Sequence, residues 1–554
     1  MLVSDTTLSS EYRNFPLLDF LPCSPTCYIP SPVYTIVKGR PPPPIAGGRA
    51  SRAPYSLRKI EAALLMENGV QDVVVPHDDY IEQFIGPDTK VIGVSTMDPF
   101  GIGPLTISFP VLFGIPHYPY VKKEFEALIS RINRARRGTR AKLVIAGPGV
   151  WEAMVFPEEL DRLDIDFAFQ GEADDIACVL FQEIAEGSSF SSNLFYRGFQ
   201  TFDRDFHSSW SPSDKFISRR LSSKQFPKVE EIPEIRNPSI KGVAEVMRGC
   251  GIGCDFCEVT LRPLRYYPPD KVSKEVAVNA KGGSANAWLQ SDEIFAYKHE
   301  KNFVPSYDGL LELFTAVMGV DGVRRANPTH GRISVPAEYP DLIGKLSALV
   351  GAGPSNFIGI QVGLETGSDR LAKIHMPNKT LPLRIGADGS WRQIVWQGTR
   401  NLNLNYWRPA FTVQIGQADE TPEDNWETVE MISELARSEV AGSGRPFEFS
   451  MTPMQNVPLG VLKSKGFSQL VPDESQLAVY YVAYKHLARE ATRNIVAKNG
   501  SGHFSQLGSG AAIAVGGLLL FNYIKRVCRK RGLDTDKVDR IELKAANQRA
   551  AMSA

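Results

Sequence analysis

Short apolar strands alternate with amphipathic helices in two separate blocks of this chain, and this pattern constrains the fold more than any other feature. In the first block Leu57, Ile60, Leu64 and Leu65 stand at helical spacing, with Gly69 as a stop. Short apolar runs follow at Val73–Val75, Val91–Ser95, Leu143–Ala146 and Phe167–Phe169, and Phe125, Leu128, Ile129 and Ile132 mark a helix between them. Strands that read as continuous apolar runs are covered on both faces, which predicts a parallel, Rossmann-like doubly wound sheet over 56–187. The second block places strands at Val243–Met247, Ala285–Gln290, Arg332–Val335, Gly359–Leu364, Ala410–Gly416 and Phe447–Thr452. Their mean spacing of roughly 35 residues suits a strand–helix–strand repeat. Six such units over 237–460 predict a partial (β/α)6 barrel, short of the eight that close a full one. The expected class is therefore α/β. Around the two blocks lie a proline-rich, extended lead-in (1–55), a surface connector (188–236) and a mainly helical C-terminal region (461–554).

Charge and apolar content narrow the function classes. The 554 residues carry 62 Lys+Arg against 62 Asp+Glu, so no global field favours nucleic acid or an anionic membrane. The N-terminus lacks the basic and apolar regions of a secretory signal. The longest apolar stretch, Gly510 to Phe521, is too short to span a bilayer and reads as a buried helix. The expectations are a cytoplasmic protein with no nucleic-acid or membrane partner. In a reducing compartment its seven cysteines are free thiols, available as metal ligands.

Three of those thiols lie within eight residues, in Arg248-Gly249-Cys250-Gly251-Ile252-Gly253-Cys254-Asp255-Phe256-Cys257. The C-x3-C-x2-C spacing follows directly on a predicted strand, and its glycines let the backbone fold around a metal centre. Three thiolates leave one iron of a cubane cluster open for a substrate. A structural zinc site wants four ligands and usually paired C-x2-C units, and no second pair is present. Structural zinc and unligated thiols are the remaining alternatives.

This loop, after the first barrel strand and with Phe256 before its last cysteine, resembles the signature of radical S-adenosylmethionine (SAM) enzymes. Trp288-Leu289-Gln290-Ser291-Asp292-Glu293 resembles the family's polar motif for the SAM amino group. Gly363-Leu364-Glu365-Thr366-Gly367-Ser368 resembles its ribose and methionine motif, and Gln414-Ile415-Gly416 loosely resembles its adenine motif. The resemblance implies cluster ligands Cys250, Cys254 and Cys257, and SAM contacts from Phe256, Gln290, Ser291, Glu293, Ser334, Glu365 and Gln414. The bland alternatives are helix N-terminal carboxylates for Glu293 and Glu365, and a strand-end hydroxyl for Ser334.

A doubly wound domain ahead of such a barrel is similar to the cobalamin-binding domain of one large subclass. Three loops carry this likeness: Ser95 to Pro104, Ala146 to Gly149 and Gln170 to Asp174. The implied cobalamin contacts are Ser95, Thr96, Met97, Asp98, Gly101, Gly103, Gly147, Gly149, Gly171 and Glu172, with Gly171 opening a helix. The DxHxxG motif of other cobalamin proteins is absent, and His77 in VVVPHDDY reads as a loop histidine. A nucleotide-binding or ligand-free domain is the alternative. By resemblance the cofactors are a [4Fe–4S] cluster, SAM and methylcobalamin. The implied reaction generates a 5′-deoxyadenosyl radical, removes hydrogen from an unactivated carbon and delivers a methyl group there. Within the subclass, overall length and domain order resemble archaeal enzymes that methylate methyl-coenzyme M reductase, in particular its glutamine C-methyltransferase. Expected partners are a protein or peptide substrate and an electron donor such as ferredoxin or flavodoxin. Basic runs at 131–142 and 525–531 are solvated faces or a docking surface. From position, substrate contacts are expected in the C-terminal region and on loops such as Tyr406–Pro409 and Thr452–Pro458. A non-methylating cobalamin radical enzyme and a zinc-binding scaffold protein are the competing functions.

Overall fold

The computed structural model describes residues 1–11, 16–66, 72–116, 118–187, 190, 194–202, 208–220, 226–440, 443–460, 471–498 and 504–553; Gly69 lies outside them. The chain is α/β, with a parallel sheet first, a second set of parallel strands next and long helices last. The first sheet contains β1 (Leu2–Ser4), β2 (Val91–Ser95), β3 (Lys142–Ala146), β4 (Phe167–Gln170), β5 (Phe195–Arg197) and, after a small hairpin of β6 (Phe199–Phe202) and β7 (Ser208–Ser211), β8 (Phe216–Arg219). Its order is β1-β2-β3-β4-β8-β5, parallel except for β5. β2 is buried along its whole length, as a strand covered on both faces must be. The helix Tyr120–Ala135 buries Phe125, Leu128, Ile129 and Ile132.

Several expected elements differ. Val73–Val75 is not a strand; the edge beside β2 is taken by Leu2–Ser4, whose Leu2 N–H donates to the Val74 carbonyl at 2.8 Å. The lead-in thus supplies an edge strand. The 188–236 segment also enters the sheet through β5 and β8 rather than only wrapping a surface. Their sequences, FYR and FISR, are too short and mixed to show a period.

The second set runs through β9 (Val243–Glu245), the short pair β10 (Met247–Arg248) and β11 (Arg265–Tyr266), β12 (Asn286–Gln290), β13 (Arg325–Pro328), β14 (Ile358–Glu365), β15 (Trp407–Ile415), the pair β16 (Glu439–Val440) and β17 (Arg445–Pro446), and β18 (Ser450–Gln455). Two parallel triplets form, β13-β12-β9 and β14-β15-β18, and a His330–Gln361 bridge links them. Read in chain order, the six strands make a partial barrel. The third strand is Arg325–Pro328, not Arg332–Val335. Ile333 and Val335 are fully buried, but Ser334–Glu338 is helical, so an apolar pair in a turn and helix imitated a strand. The last strand begins at Ser450, three residues after the expected start.

In the C-terminal region Phe504–Lys530 is one helix, and Leu518, Leu519 and Leu520 on it are 44, 65 and 44% exposed. The expected buried apolar helix is therefore wrong at these positions; the side chains of 510–516 lie outside those described. No helix among the described residues is long and apolar enough to cross a membrane.

The two sheets meet through specific polar contacts. Lys59, on the helix Tyr55–Met66, pairs with Glu275 at 2.5 Å and donates to the Pro233 carbonyl at 2.7 Å. Tyr55 donates to Glu275 at 2.7 Å, and the Glu245 N–H of β9 donates to the Tyr55 oxygen at 3.2 Å. On another side, the helix Pro104–Phe113 lies against β18, where the Gln455 N–H donates to Ser108 Oγ at 2.7 Å. Arg531 donates to the Val111 and Leu112 carbonyls at 2.5 and 2.7 Å.

Candidate functional site

The three thiols sit on a loop that begins where β10 ends, at the carboxyl end of the first barrel strand. Gly249, Gly251 and Gly253 all have positive φ, at 73°, 67° and 82°. This geometry coils the loop tightly enough to bring three cysteines round one region, and it favours glycine. At Gly249 there is a second constraint: a Cβ would stand 2.7 Å from the carbonyl oxygens of both Arg262 and Pro263. Gly249→Ala should therefore displace the loop, with loss of metal uptake at near-normal helix content. Iron analysis and circular dichroism of the purified variant check this.

Cys250 and Cys254 are buried, Cys257 is half-buried, and all three are free. Burial pushes the Cys250 thiol up to about 12 and also raises those of Cys254 and Cys257. The thiols are therefore protonated until a cation compensates, so metal binding must release protons. Among the described residues no group of three or more His, Cys, Asp or Glu side chains is drawn together to hold a metal ion. A cubane cluster asks for another arrangement, because each thiolate binds its own iron and the sulfurs surround the cluster. Three disulfide-free thiols, two buried and one half-buried, on one glycine-hinged loop fit that donor set.

The loop is braced from several strands at once. The Gly249 N–H donates to Asp292 Oδ2 at 2.8 Å, and Asn378 Nδ2 donates to the Ile252 carbonyl at 3.0 Å. The Asp255 N–H donates to the His375 carbonyl at 3.1 Å. His375 Nδ1 stands 2.9 Å from Asp255 Oδ2, and its Nε2 stands 2.6 Å from the Ala418 carbonyl. Both ring nitrogens face acceptors, an arrangement that a doubly protonated imidazolium satisfies. Burial pulls the His375 pKa down, but the Asp255 carboxylate prevails and raises it on balance. The Phe256 carbonyl accepts from the N–H groups of Leu459 and Gly460, both at 3.0 Å, and the Phe256 ring packs on the barrel core.

The expected SAM motifs converge on the same end of the barrel, with unequal freedom. Glu365 ends β14 at φ +64°, beside a register irregularity at Gly363/Glu365. A non-glycine residue held there stores backbone strain of the kind found at functional sites. Its carboxylate accepts from Lys379 Nζ at 2.7 Å. Burial lowers the Lys379 pKa, while Glu365, Cys254 and Cys257 together raise it on balance. Gln414, on β15, has a buried Oε1 with no hydrogen-bond partner among the described residues. Such an acceptor is costly unless a ligand completes it. Ser291 is fully buried, with its N–H on Thr329 Oγ1 at 3.0 Å and its hydroxyl toward the His330 carbonyl at 3.4 Å. Gln290 is half-buried, and its carbonyl accepts from the Val246 N–H. Glu293 caps the short helix Ile294–Ala296 by accepting from the Phe295 N–H at 2.9 Å. The Ser334 hydroxyl donates to the Lys379 and Leu381 carbonyls at 3.1 and 2.8 Å, from a helix start rather than a strand end. It acts as a brace for the Lys379 segment.

The first-domain loops also gather at carboxyl ends of parallel strands, where open α/β sheets bind ligands. Several of their residues are already committed to the protein. Ser95 Oγ lies 2.9 Å from Ser56 Oγ, and Thr96 donates through N–H and Oγ1 to the Ala146 carbonyl at 2.8 and 3.0 Å. Gly147 and Gly149 give room to the neighbouring Thr96–Pro99 backbone; a Cβ at Gly147 would stand 2.7 Å from the Thr96 carbonyl oxygen. Asp98 accepts from the Gly103 N–H at 2.9 Å and from the Thr106 hydroxyl. Gly101 lies in the turn between them at φ 76°. Met97, Gly147 and Gly171 are the exposed members of this set. Gly171 does not open a helix: the next one begins at Ala177, so no helix N-terminus stands at Gly171. Glu172 is bound by Arg265 at 2.6 Å and by Arg248 at 2.7 Å. His77 is a loop histidine, as expected, but a buried one that caps Asp78–Phe84 through its Nδ1.

No family model matches the sequence. Among curated proteins, tRNA-2-methylthio-N(6)-dimethylallyladenosine synthase of Bacillus subtilis (strain 168) is 26% identical over 169 residues, 29% of this chain and 31% of that protein. The synthase of the same name from Sulfurihydrogenibium sp. (strain YO3AOP1) is 25% identical over 240 residues, 42% of this chain and 47% of that one. The chain thus matches a third to a half of the length of these relatives. The solved structure of the radical S-adenosylmethionine methyltransferase TsrM from Kitasatospora setae, with cobalamin and a [4Fe–4S] cluster bound, aligns with a TM-score of 0.50 at 15% identity, covering 75% of this chain and 72% of that one. The chain shares the α/β fold of that structure.

Within this fold His375, Asn378, Lys379 and Arg265 brace the site without any signal in the sequence, and Asp292 and Arg248, quoted within its motifs, act as braces. His375 and Asp255 are 120 residues apart, and no spacing rule pairs them. The Tyr406–Pro409 expectation is corrected, because these residues begin β15 and so lie at its amino end, away from the thiols. Of the basic run at 131–142, Arg131 pairs with Glu82 at 2.7 Å, while Arg136 and Lys142 pair with Asp166 at 2.5 and 3.4 Å.

One pH effect follows from the first-domain loop. Burial alone would raise the Asp174 carboxyl, but the Arg248 guanidinium overrides it and holds it down at about 2, against an ordinary 3.8. A depressed carboxyl stabilises the fold above its ordinary pKa, and that contribution is lost as pH falls from about 4 toward about 2. An acid titration followed by tryptophan fluorescence should show a transition in this window that weakens in Asp174→Asn.

Proposed function

We propose that this chain is a radical SAM C-methyltransferase that works with cobalamin on an unactivated carbon. The observation that carries the reading is the set of three free thiols, two buried and one half-buried, on a glycine-hinged loop, with the Glu365–Lys379 pair and the unpartnered Gln414 side-chain carbonyl at the same barrel end. The doubly wound sheet beside it, with loops at its strand ends, supports cobalamin as the second group. Cys250, Cys254 and Cys257 would hold a [4Fe–4S] cluster. When bound, these cofactors would supply one-electron cleavage of SAM and a transferable methyl group. The protein's own part is to orient and to exclude water. Gln414 Oε1 offers an acceptor to a ligand N–H or O–H, Glu365 is fixed by Lys379, and the Asp292, Asn378 and His375 braces hold the thiol loop.

A protein or peptide substrate and a ferredoxin- or flavodoxin-type donor complete the proposal. The finer reading, methylation of a glutamine of methyl-coenzyme M reductase, is supported by chain length and domain order. Thr452–Pro458 is a substrate-facing candidate, since β18 ends at Gln455 on the thiol side of the barrel.

The test is anaerobic reconstitution with iron and sulfide, addition of cobalamin, isotope-labelled SAM and a candidate peptide, and mass analysis of the product. A gain of one labelled CH2 unit supports the proposal. Formation of 5′-deoxyadenosine with an unmethylated, rearranged product would instead establish the non-methylating reading. Retained zinc without iron–sulfur absorption would establish the scaffold reading.

A further inference from the structure

We propose that Arg248 is a positioning residue through which the first domain sets the geometry of the thiol loop. Arg248 immediately precedes Gly249 and Cys250. All five of its N–H donors are used, on three carboxylates. Nε donates to Glu245 Oε1 at 2.8 Å and one NH2 nitrogen to Glu245 Oε2 at 3.0 Å. The same nitrogen donates to Asp174 Oδ1 at 3.0 Å, and the other donates to Asp174 Oδ2 and Glu172 Oε2, both at 2.7 Å. Two of the three carboxylates therefore come from the loop after β4, across the domain boundary. A planar guanidinium saturated in this way has one orientation available, which a lysine cannot reproduce.

The carboxylates are themselves fixed. Arg265, opposite Arg248 in the β10–β11 pair, holds Glu172 bidentately at 2.6 and 2.8 Å. Arg219 donates to the Glu172 carbonyl at 2.9 Å and pairs with Asp175 at 2.5 Å. Tyr267 donates to Glu245 at 2.7 Å. All three groups around Arg248 are nearly excluded from water, with side-chain exposures of 12, 7 and 12% for Glu172, Asp174 and Glu245. Charge-assisted bonds in such a setting are strong and directional. The function of Glu172 is then to clamp the strand that launches the thiol loop, rather than to contact a ligand.

This inference rests on the cluster reading only for what the loop holds, and its first test needs no cluster. Amide hydrogen exchange is measured on metal-free full-length protein for Arg248→Lys, Asp174→Asn and the double variant. A clamp predicts exchange across 247–257 about tenfold faster in each single variant, with β14–β18 unchanged and the double variant no worse than either single one. Unchanged exchange, or acceleration spread equally over the barrel, overturns the proposal. The second test is the midpoint potential and electron paramagnetic resonance line shape of the reconstituted cluster. Arg248→Lys keeps the charge, so a changed signal reports position, and an unchanged one counts against the clamp. If the wild type takes up no cluster, the proposed function fails while the exchange experiment still decides the role of Arg248.

Discussion

The simultaneous replacement of Cys250, Cys254 and Cys257 by alanine is expected to abolish iron uptake and SAM cleavage while the protein stays folded. None of the three makes a disulfide. A buried free cysteine behaves as a small hydrophobe, so its loss costs little packing. The chemistry has no such tolerance, since no thiolate is left to hold iron. Iron and sulfide content, the electron paramagnetic resonance spectrum of the reduced protein and 5′-deoxyadenosine release should all fall to background. Cys178→Ala serves as the control. Cys178 lies on the helix Ala177–Glu186, with Sγ 3.8 Å from the Ala63 carbonyl, and its removal should leave all three readouts intact. Normal iron content in the triple variant would sink the cluster assignment.

The second large effect concerns stability. Lys59→Ala should destabilise the protein by about 3–5 kcal/mol, because it leaves a buried carboxylate without its cation. Lys59 and Glu275 are 3 and 1% exposed, 2.5 Å apart, and lie on the helices Tyr55–Met66 and Pro269–Lys281. The loss also strands the Pro233 carbonyl. Replacing both partners by neutral groups of similar volume, Lys59→Met with Glu275→Gln, should recover much of the loss, since the cost lies in the unpaired charge rather than in the absent pair. Chemical denaturation followed by tryptophan fluorescence checks both. A Lys59→Ala variant with unchanged denaturation would show that the pair does not hold the domains together.

The same polar seam explains why the site was only partly legible beforehand. The thiol loop could be read because its information is local: three cysteines and three glycines within nine residues. Glu365 and Gln414 were legible because each follows an apolar run that is a real strand, β14 or β15. The third strand was misplaced, since Arg-Ala-Asn-Pro carries one apolar side chain and a proline, whereas the neighbouring Ile333 and Val335 look strand-like and are not. That error moved Ser334 to a strand end and hid Thr329 and His330, which meet the second-strand motif at Ser291. In the first domain, glycines at strand ends read as room for a ligand. In the structure Gly147, Gly149 and Gly171 give room to Thr96, Met97 and Arg219 of the protein itself.

By itself the sequence determined what depends on nearest neighbours along the chain. The α/β class, most of the parallel strands, the triple-thiol loop and the lack of a global field all follow from period, spacing and composition. Tertiary structure alone decided which long-range partners meet. Leu2–Ser4 supplies the sheet edge, His375 meets Asp255, Lys379 meets Glu365, and Glu172 meets Arg248. The physical reason is that a buried charge is fixed by whichever opposite charge the packed elements bring within about 3 Å, and that proximity has no signature in linear spacing.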